Sequence, residues 1–570
     1  MRTTYPVTST MTSPTKSIPH LEKTANSKQL IVNGKPFLIL GAELQNSSMT
    51  SAAYMSTVWQ KLVNTNINTV LGCVTWEDIE PAEGQFDFSE LDKVILGARE
   101  HGLHLVLLWF GSFKNGMSPK PEKVFLTVTG VSTYAPAWVK KDVKRFPRAH
   151  FRKAGGLLQT ADVVSIFHEE ALNADVKAFS ALMRHVKELD GSHSTVIMVQ
   201  VENEIGLLGD SRDGSSTANK RFSESVPTPL VQHLSTKWDT LHADLRKNLQ
   251  QFKEFGRSSG SWEAVFGKSQ QTDELFMAYH YAKYVEKVAA AGKNEYALPL
   301  YTNVWQNYID GDIAFPVTVA GGGGPGEYPS GGAVSNVLDI WQAFAPSLDF
   351  IAPDIYFNDY TSSCAKYRHL DQPLFIPEQR RDEYGARRIW KALGSYQAIG
   401  TSPFGIDTLE PATNPFTRHY ELLASVKDIV LEAHRNPGSS VGFFFDELLP
   451  DGRDPSPPTI AQFGDFEVTI ERCFVFGKPD AGAGMLIYLG DAKFLLIGWG
   501  FQAVFKSVSP KSTFTGILKF EEKIVDEKGN MSKGRILNGD ETRSGAFCMM
   551  PNESQIMGAF LFVLRFQRGR

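Results

Sequence analysis

"TVIMVQVENEIG", residues 195–206, is an apolar run that stops on Glu-Asn-Glu. Val196 to Val201 are β-branched or straight-chain, uncharged and few, the signature of a short buried strand. Side chains alternate faces along a strand. If the strand ran on, Glu202 and Glu204 would share one face and Asn203 would take the other. A polar loop start explains the triplet as well as a catalytic tip does, so the neighbouring segments must decide.

Those segments repeat the pattern. "PFLILGAEL" (36–44), "NTVLG" (68–72) and "LHLVLLWF" (103–110) read as buried strands before it. "LPLYTNVW" (298–305), "FIAPDIYF" (350–357), "LFIPE" (374–378) and "SPFGID" (402–407) follow. Helical spacing fills most of the gaps. Met55, Val58, Trp59 and Leu62 make one face; Leu91, Val94, Ile95 and Ala98, after a Ser89 N-cap, make another. Leu172, Val176, Phe179, Met183 and Val186 make a third, closed by Asp190-Gly191. Eight strand–helix units predict an α/β fold, a closed (β/α)8 TIM barrel over residues 28–440. An open doubly wound sheet is the rival, but it usually has fewer strands and a phosphate loop after the first.

Beyond residue 441 the pattern changes. "GFFFDEL", "FEVTIERCFVF", "GMLIYLG", "KFLLIGWGFQAVF" and "FTGILKF" are strand-like and separated by turn residues. Residues 441–570 therefore read as an all-β sandwich domain, jelly-roll-like. Residues 1–27, with nine Ser/Thr in the first twenty, read as a disordered tail.

The bulk properties exclude several functions. A net charge of −5 and no Lys/Arg block argue against nucleic acid. No run is long enough to span a membrane. The four cysteines lie far apart and form no Cys-x-x-Cys, so no zinc or disulfide framework is signalled. No secretory signal is visible, which favours a cytoplasmic location. "AGGGGPGEYPSGG" (320–332) contains Gly-x-Gly-x-x-Gly, but Pro325 and Pro329 oppose the helix that a dinucleotide loop must open. It reads as a long surface loop near the barrel mouth.

Catalytic groups of such barrels sit at the C-terminal ends of strands. Those ends are Glu43, Trp109, Asn203-Glu204, Tyr356, Pro377-Glu378 and Asp407. Acids, amides and aromatics gather there, and no His/Cys metal cluster does. Two carboxylates on separate strands facing one mouth meet the needs of glycoside cleavage, where one gives a proton and the other attacks or directs water.

At this point the sequence resembles a clan A glycoside hydrolase, specifically family 35, the β-galactosidases. "VQVENEIG", "WEDIEPAEGQFDFSELD" (76–92) and "PLFIPEQRR" carry the resemblance, the first two being specific together. It covers residues 28–440, and the β-rich tail fits a family accessory domain. It implies Glu204 as acid/base, Glu378 as nucleophile, Asn203 on the sugar 2-hydroxyl and Tyr356 on the nucleophile or sugar. Glu43 and Trp109 join them as expected substrate contacts, and Glu202 is expected to be structural. The 174 residues between Glu204 and Glu378 are wider than usual in family 35 and more like family 42. The expected activity is a retaining exo-β-glycosidase, a β-galactosidase first, acting on an oligosaccharide or glycoside without metal or cofactor. The alternatives are the same machinery on a glucoside, mannoside or arabinoside, and a catalytically dead carbohydrate-binding barrel.

"FGSFKNGMS" (110–118) and "TYAPAWVKKDVKRFPR" (133–148) resemble segments that are nearly adjacent in that family, yet "PKPEKVFLTVTGVS" (119–132) separates them. The insertion is either a genuine mouth loop or a retained intron. Its centre, Val124 to Val131, is apolar, β-prone and uncharged, an aggregation hazard when exposed. Deleting 119–132 is expected to raise the soluble fraction on expression and to leave turnover equal or higher. Parallel expression and assay of both forms checks this.

Overall fold

A computed structural model describes residues 17–113, 133–308, 321–473, 479–526 and 530–551, and the backbone of 561–569. The insertion 119–132 lies outside the described residues. Eight parallel strands build the larger part: β1 (Ile39–Glu43), β2 (Thr69–Thr75), β3 (His104–Phe110), β4 (Val196–Val201), β5 (Leu300–Trp305), β6 (Phe350–Asp354), β7 (Ile376–Gln379) and β8 (Gly400–Pro403). They pair in the order β6-β5-β4-β3-β2-β1-β8-β7. The two ends of that row meet. Ile355, one residue past β6, bridges Gln379 of β7, and its N–H donates to the Glu378 carbonyl at 2.9 Å. The sheet is thus a closed cylinder, the expected (β/α)8 architecture.

Side-chain parity sets what the cylinder holds. Leu71, Val106, Leu108, Met198, Tyr301 and Phe350 fill its interior. The alternate residues, such as Val70, Leu105, Leu107 and Val199, face the helices and join a second apolar layer. The helix faces read from spacing are the buried ones. α1 (Ala52–Asn64) buries Met55, Val58, Trp59 and Leu62. α2 (Ser89–Glu100) buries Leu91, Val94, Ile95 and Ala98, although Phe88 takes the N-cap position and Asp87 accepts from the Ser89 N–H. α3 (Glu169–Asp190) ends at Gly191 as expected. No helix among the described residues is long and apolar enough to cross a membrane.

The expected disordered tail needs correction at its end. His20–Lys23 is a strand, paired antiparallel with Lys28–Val32. Leu30 and Val32 of this hairpin join the barrel's interior cluster, with Leu21 packed against it. Apolar residues that plug an open barrel end outweigh the Ser/Thr-rich character of the flanking sequence.

Among the described residues the C-terminal part is two antiparallel sheets, one of six strands and one of four. The larger includes β9 (Ser440–Phe445), β10 (Gly482–Gly490) and β11 (Lys493–Trp499). Phe443, Phe466, Val468, Phe494, Leu496 and Phe501 fill the space between the sheets. The other face of the larger sheet, with Met485, Ile487, Leu495 and Ile497, is buried against the barrel. Burial on both faces explains why these strands read as continuous apolar runs.

The joint between the two parts is a backbone-to-backbone contact. The long helix α4 (Gln270–Glu295) precedes β5, and α5 (Glu383–Tyr396) follows β7. β9 packs along α5. A Cβ on Gly442 would sit 1.7 Å from the Trp390 carbonyl oxygen, and one on Gly394 would sit 2.6 Å from the Gly442 nitrogen. Neither backbone can give way cheaply. Gly442→Ala is expected to cost about 3 kcal/mol or more through overpacking, read as a lower urea midpoint. Gly539→Ala is the control: its added Cβ meets nothing within 4 Å.

Candidate active site

β4 does not run on through its acidic tip. Glu202 and Glu204 both adopt left-handed backbone, with φ of 62° and 44°. This breaks the alternation, so the two carboxylates part company. Glu202 turns outward, where its oxygens accept the N–H groups of Ser112 and Phe113 at 2.9 and 3.0 Å. Its neighbour there is Asp175 of α3, which accepts from Trp109 Nε1 at 3.0 Å, Ser112 Oγ at 2.8 Å and Tyr284 OH at 3.2 Å. Burial first, then the Asp175 charge, pushes the Glu202 carboxyl well above its ordinary range; burial also pushes Asp175 up. Glu202 is therefore a structural clamp between β4 and the segment after β3.

Glu204 stays at the mouth. Its N–H donates to Asn303 Oδ1 at 2.9 Å. Asn203 is fully buried, and its Oδ1 accepts from Gln200 Nε2 at 2.9 Å and Asn303 Nδ2 at 3.0 Å. Its Nδ2 is buried without a hydrogen-bond partner among the described residues. Opposite, β7 changes register against β8 between Ile376 and Gln379. Phe375 faces the interior, so plain alternation would turn Glu378, three residues on, away from it; the irregularity re-aims a side chain as bulges do. Glu378 accepts a hydrogen bond from the Tyr356 hydroxyl. Burial, followed by the charges of Glu378 and Glu43, holds Tyr356 well above the usual phenol range, so it stays a neutral donor.

Glu204, Asp354 and Glu378 each bring one carboxylate oxygen within 4.8 Å of the other two. The trio has the spacing to share a cation. Its all-oxygen donor set and its place at the strand ends equally suit acid and nucleophile chemistry on a sugar.

Glu43, Asn203, Glu204, Tyr356 and Glu378 thus converge on one mouth. Trp109 does not. It is fully buried on the helix side of β3, bonded to Asp175. Leu108 and Phe110 take the inward parity, which leaves Trp109 outward and corrects its expected role as a substrate contact. Asp407 also lies elsewhere, accepting from the Gln45 N–H, Ser48 Oγ and Tyr54 OH to pin the segment after β1. The glycine-rich loop is at the mouth, exposed at Gly323 and Glu327 as expected but buried from Tyr328 onward. Ser330 and Leu207 exchange backbone hydrogen bonds at 2.9 and 3.0 Å, and Tyr328 and Ser330 are buried. The motif at 76–92 is a clasp: Glu80 accepts from Trp76 Nε1 and the Gly84 N–H, both at 2.7 Å. Asn303 and Asp354 were missed by the strand-end reading. Their signal is a lone amide or acid inside an otherwise apolar strand, which is costly unless it is used.

Residues 49–249 match the family model described as Beta-galactosidase, glycoside hydrolase family 42. Residues 416–549 match a domain of unknown function, DUF5597. The first match makes residues 49–249 of the barrel similar to a glycoside hydrolase family. It falls on family 42, so the expected membership of family 35 is not supported, in keeping with the wide separation of Glu204 and Glu378. No curated protein matches the sequence. Among solved structures, the β-galactosidase of the psychrophilic Marinomonas ef1 is similar at 13% identity and a TM-score of 0.43, over 70% of this chain and 61% of that one. The β-galactosidase of Bacillus circulans sp. alkalophilus is similar at 15% and 0.43, over 69% and 57%. The catalytic domain of the Paenibacillus polymyxa β-amylase is similar at 11% and 0.43, over 66% and 94%. The chain thus spans less than two thirds of the β-galactosidases it resembles.

The Glu202–Asp175 pair makes stability depend on pH. The folded state holds protons that the unfolded chain releases near pH 4, so stability falls as pH rises above about 4 toward the raised folded values. Asp175→Asn removes one of the two acids and the charge that raises the other. Its urea midpoint is expected to change less than that of the wild type between pH 4.5 and 8.

Proposed function

We propose that this protein is a retaining exo-β-glycosidase, with β-galactosides as its first substrate class. The observation that carries the reading is the approach of Glu204 and Glu378 oxygens to within 4.8 Å from opposite sides of one barrel mouth. Retaining enzymes hold their carboxyl groups about 5–5.5 Å apart, whereas inverting enzymes need about 6.5–9.5 Å to admit a water. The family 42 match over residues 49–249, which includes Glu204, supports the sugar class.

Glu204 gives a proton to the glycosidic oxygen as the leaving group departs. Glu378, oriented by the Tyr356 hydroxyl, attacks the anomeric carbon from the opposite face of the sugar and forms a glycosyl-enzyme. Glu204, now a base, takes a proton from water, which releases the sugar with its configuration retained. Asn203 Nδ2, which has no partner among the described residues, is a donor for the sugar 2-hydroxyl. Glu43 lines the same mouth.

Turnover of a panel of nitrophenyl glycosides tests the sugar class; no hydrolysis of any β-glycoside would leave a binding barrel as the reading. Glu378→Gln is expected to abolish turnover of every substrate. Glu204→Ala is expected to slow poor leaving groups by about 10²–10⁴-fold, since these need protonation, and to spare activated aryl glycosides. Equal losses across leaving groups would overturn the two roles.

A further inference from the structure

Asp354 is a buried acid at the mouth that the mechanism above does not use. Its hydrogen bonding gives it a task. Asn303 Nδ2 donates to Asp354 Oδ2 at 2.8 Å and to Asn203 Oδ1 at 3.0 Å, while Asn303 Oδ1 accepts the Glu204 N–H at 2.9 Å. An amide can be turned end for end, and only its partners choose between the two directions. A carboxylate accepts and cannot donate. Turned the other way, Asn303 would set its carbonyl against the Asp354 carboxylate and the Asn203 carbonyl, and its NH2 against the Glu204 N–H. All three contacts would become like-with-like.

The choice passes onward. Asn303 and Gln200 Nε2 together occupy the Asn203 oxygen, so the Asn203 NH2 is the end left unpartnered among the described residues. The same Asn303 oxygen holds the N–H of Glu204, whose backbone is left-handed at φ 44°. We infer that Asp354 is a positioning residue: through Asn303 it fixes which end of the Asn203 amide faces the sugar, and so makes the site read the 2-hydroxyl. The inference rests on the glycosidase reading above.

The test compares kcat/KM for 4-nitrophenyl β-galactoside and its 2-deoxy analogue, or the corresponding pair for whichever β-glycoside is cleaved best. Bonds to the 2-hydroxyl strengthen in the transition state, so the wild type should prefer the 2-hydroxy substrate by about 100-fold or more. Asn203→Ala should collapse that preference. Asp354→Asn, nearly isosteric but able to donate as well as accept, should shrink it about tenfold or more, mainly through kcat on the 2-hydroxy substrate. If Asp354 only supports the fold, both substrates slow equally and the preference is unchanged, which overturns the inference. Should Asp354→Asn fail to fold by circular dichroism, Asn303→Ala removes the relay without touching Asp354 and must shrink the preference likewise; an intact preference there overturns the inference too. If Asn203→Ala keeps the wild-type preference, or no β-glycoside is cleaved, the underlying reading fails and the inference falls with it.

Discussion

The break in β4 after Val201 is the constraint on which the site depends. A non-glycine residue in left-handed backbone costs about 1–2 kcal/mol, and this chain spends it twice in three residues, at Glu202 and Glu204. Both are held from outside the strand. The Ser112 and Phe113 N–H groups take the Glu202 carboxyl, and Asn303 takes the Glu204 N–H. The break is what separates two acids that alternation would have stacked on one face. One becomes a buried clamp and the other stays at the mouth. Gly111 belongs to the same arrangement, since a Cβ there would lie 2.5 Å from Glu202 Oε1 and 2.6 Å from Trp109 Nε1.

The opposite wall solves the same problem by register. The β7 irregularity turns Glu378 inward, and the Ile355 N–H binds the Glu378 carbonyl at the seam where the cylinder closes. Barrel closure and placement of this carboxylate are therefore one event. β5 and β6 supply the lateral links, because Asn303 reaches both Glu204 and Asp354, and Tyr356 reaches Glu378. Mouth side chains on separate strands acquire their spacing from the cylinder, and side-chain hydrogen bonds trim it.

Much of this was legible in the sequence, for physical reasons. Strands buried on both faces cannot hide their apolar runs, so all eight were found, with ends displaced by a few residues at most. Glu204 and Glu378 were legible because acids directly after such runs are rare and strand ends are where barrels keep their chemistry. Trp109 was misread because parity along an all-apolar strand leaves no mark in the sequence. Asn303 was passed over because it lies within its strand, and Asp354 because the apolar run reads on to Phe357 although the strand stops at Asp354; the worth of both lies in partners 51 to 100 positions away. The hairpin strand at His20–Lys23 was hidden by Ser/Thr-rich surroundings, and the burial of Tyr328 and Ser330 by a glycine-rich composition usual in exposed loops.

The C-terminal sandwich bears on the site through α5. That helix starts just after β7, and Gln379 ties the two: its Oε1 accepts from Tyr360 OH at 2.8 Å and its Nε2 donates to the Gly385 carbonyl at 3.1 Å. On its far side α5 is locked to β9 by the Gly394–Gly442 contact. Arg388 reaches Asp446 at 2.6 Å, and Arg387 reaches Glu447 at 2.8 Å, both arginines being nearly buried. The arginines are buried while Glu447 is exposed, so the pairs add little net stability, but a buried guanidinium without its partner would penalise any other seating of the helix. On the proposed mechanism Glu378 must meet an anomeric carbon, which tolerates an error of about 0.5 Å. A four-residue strand with an irregularity in it would not hold that tolerance alone. Backed by a helix that is itself clamped to a six-stranded sheet, it has a rigid support on the side away from the sugar. The accessory sheet and the barrel are in this sense one mechanical unit, joined behind the proposed nucleophile.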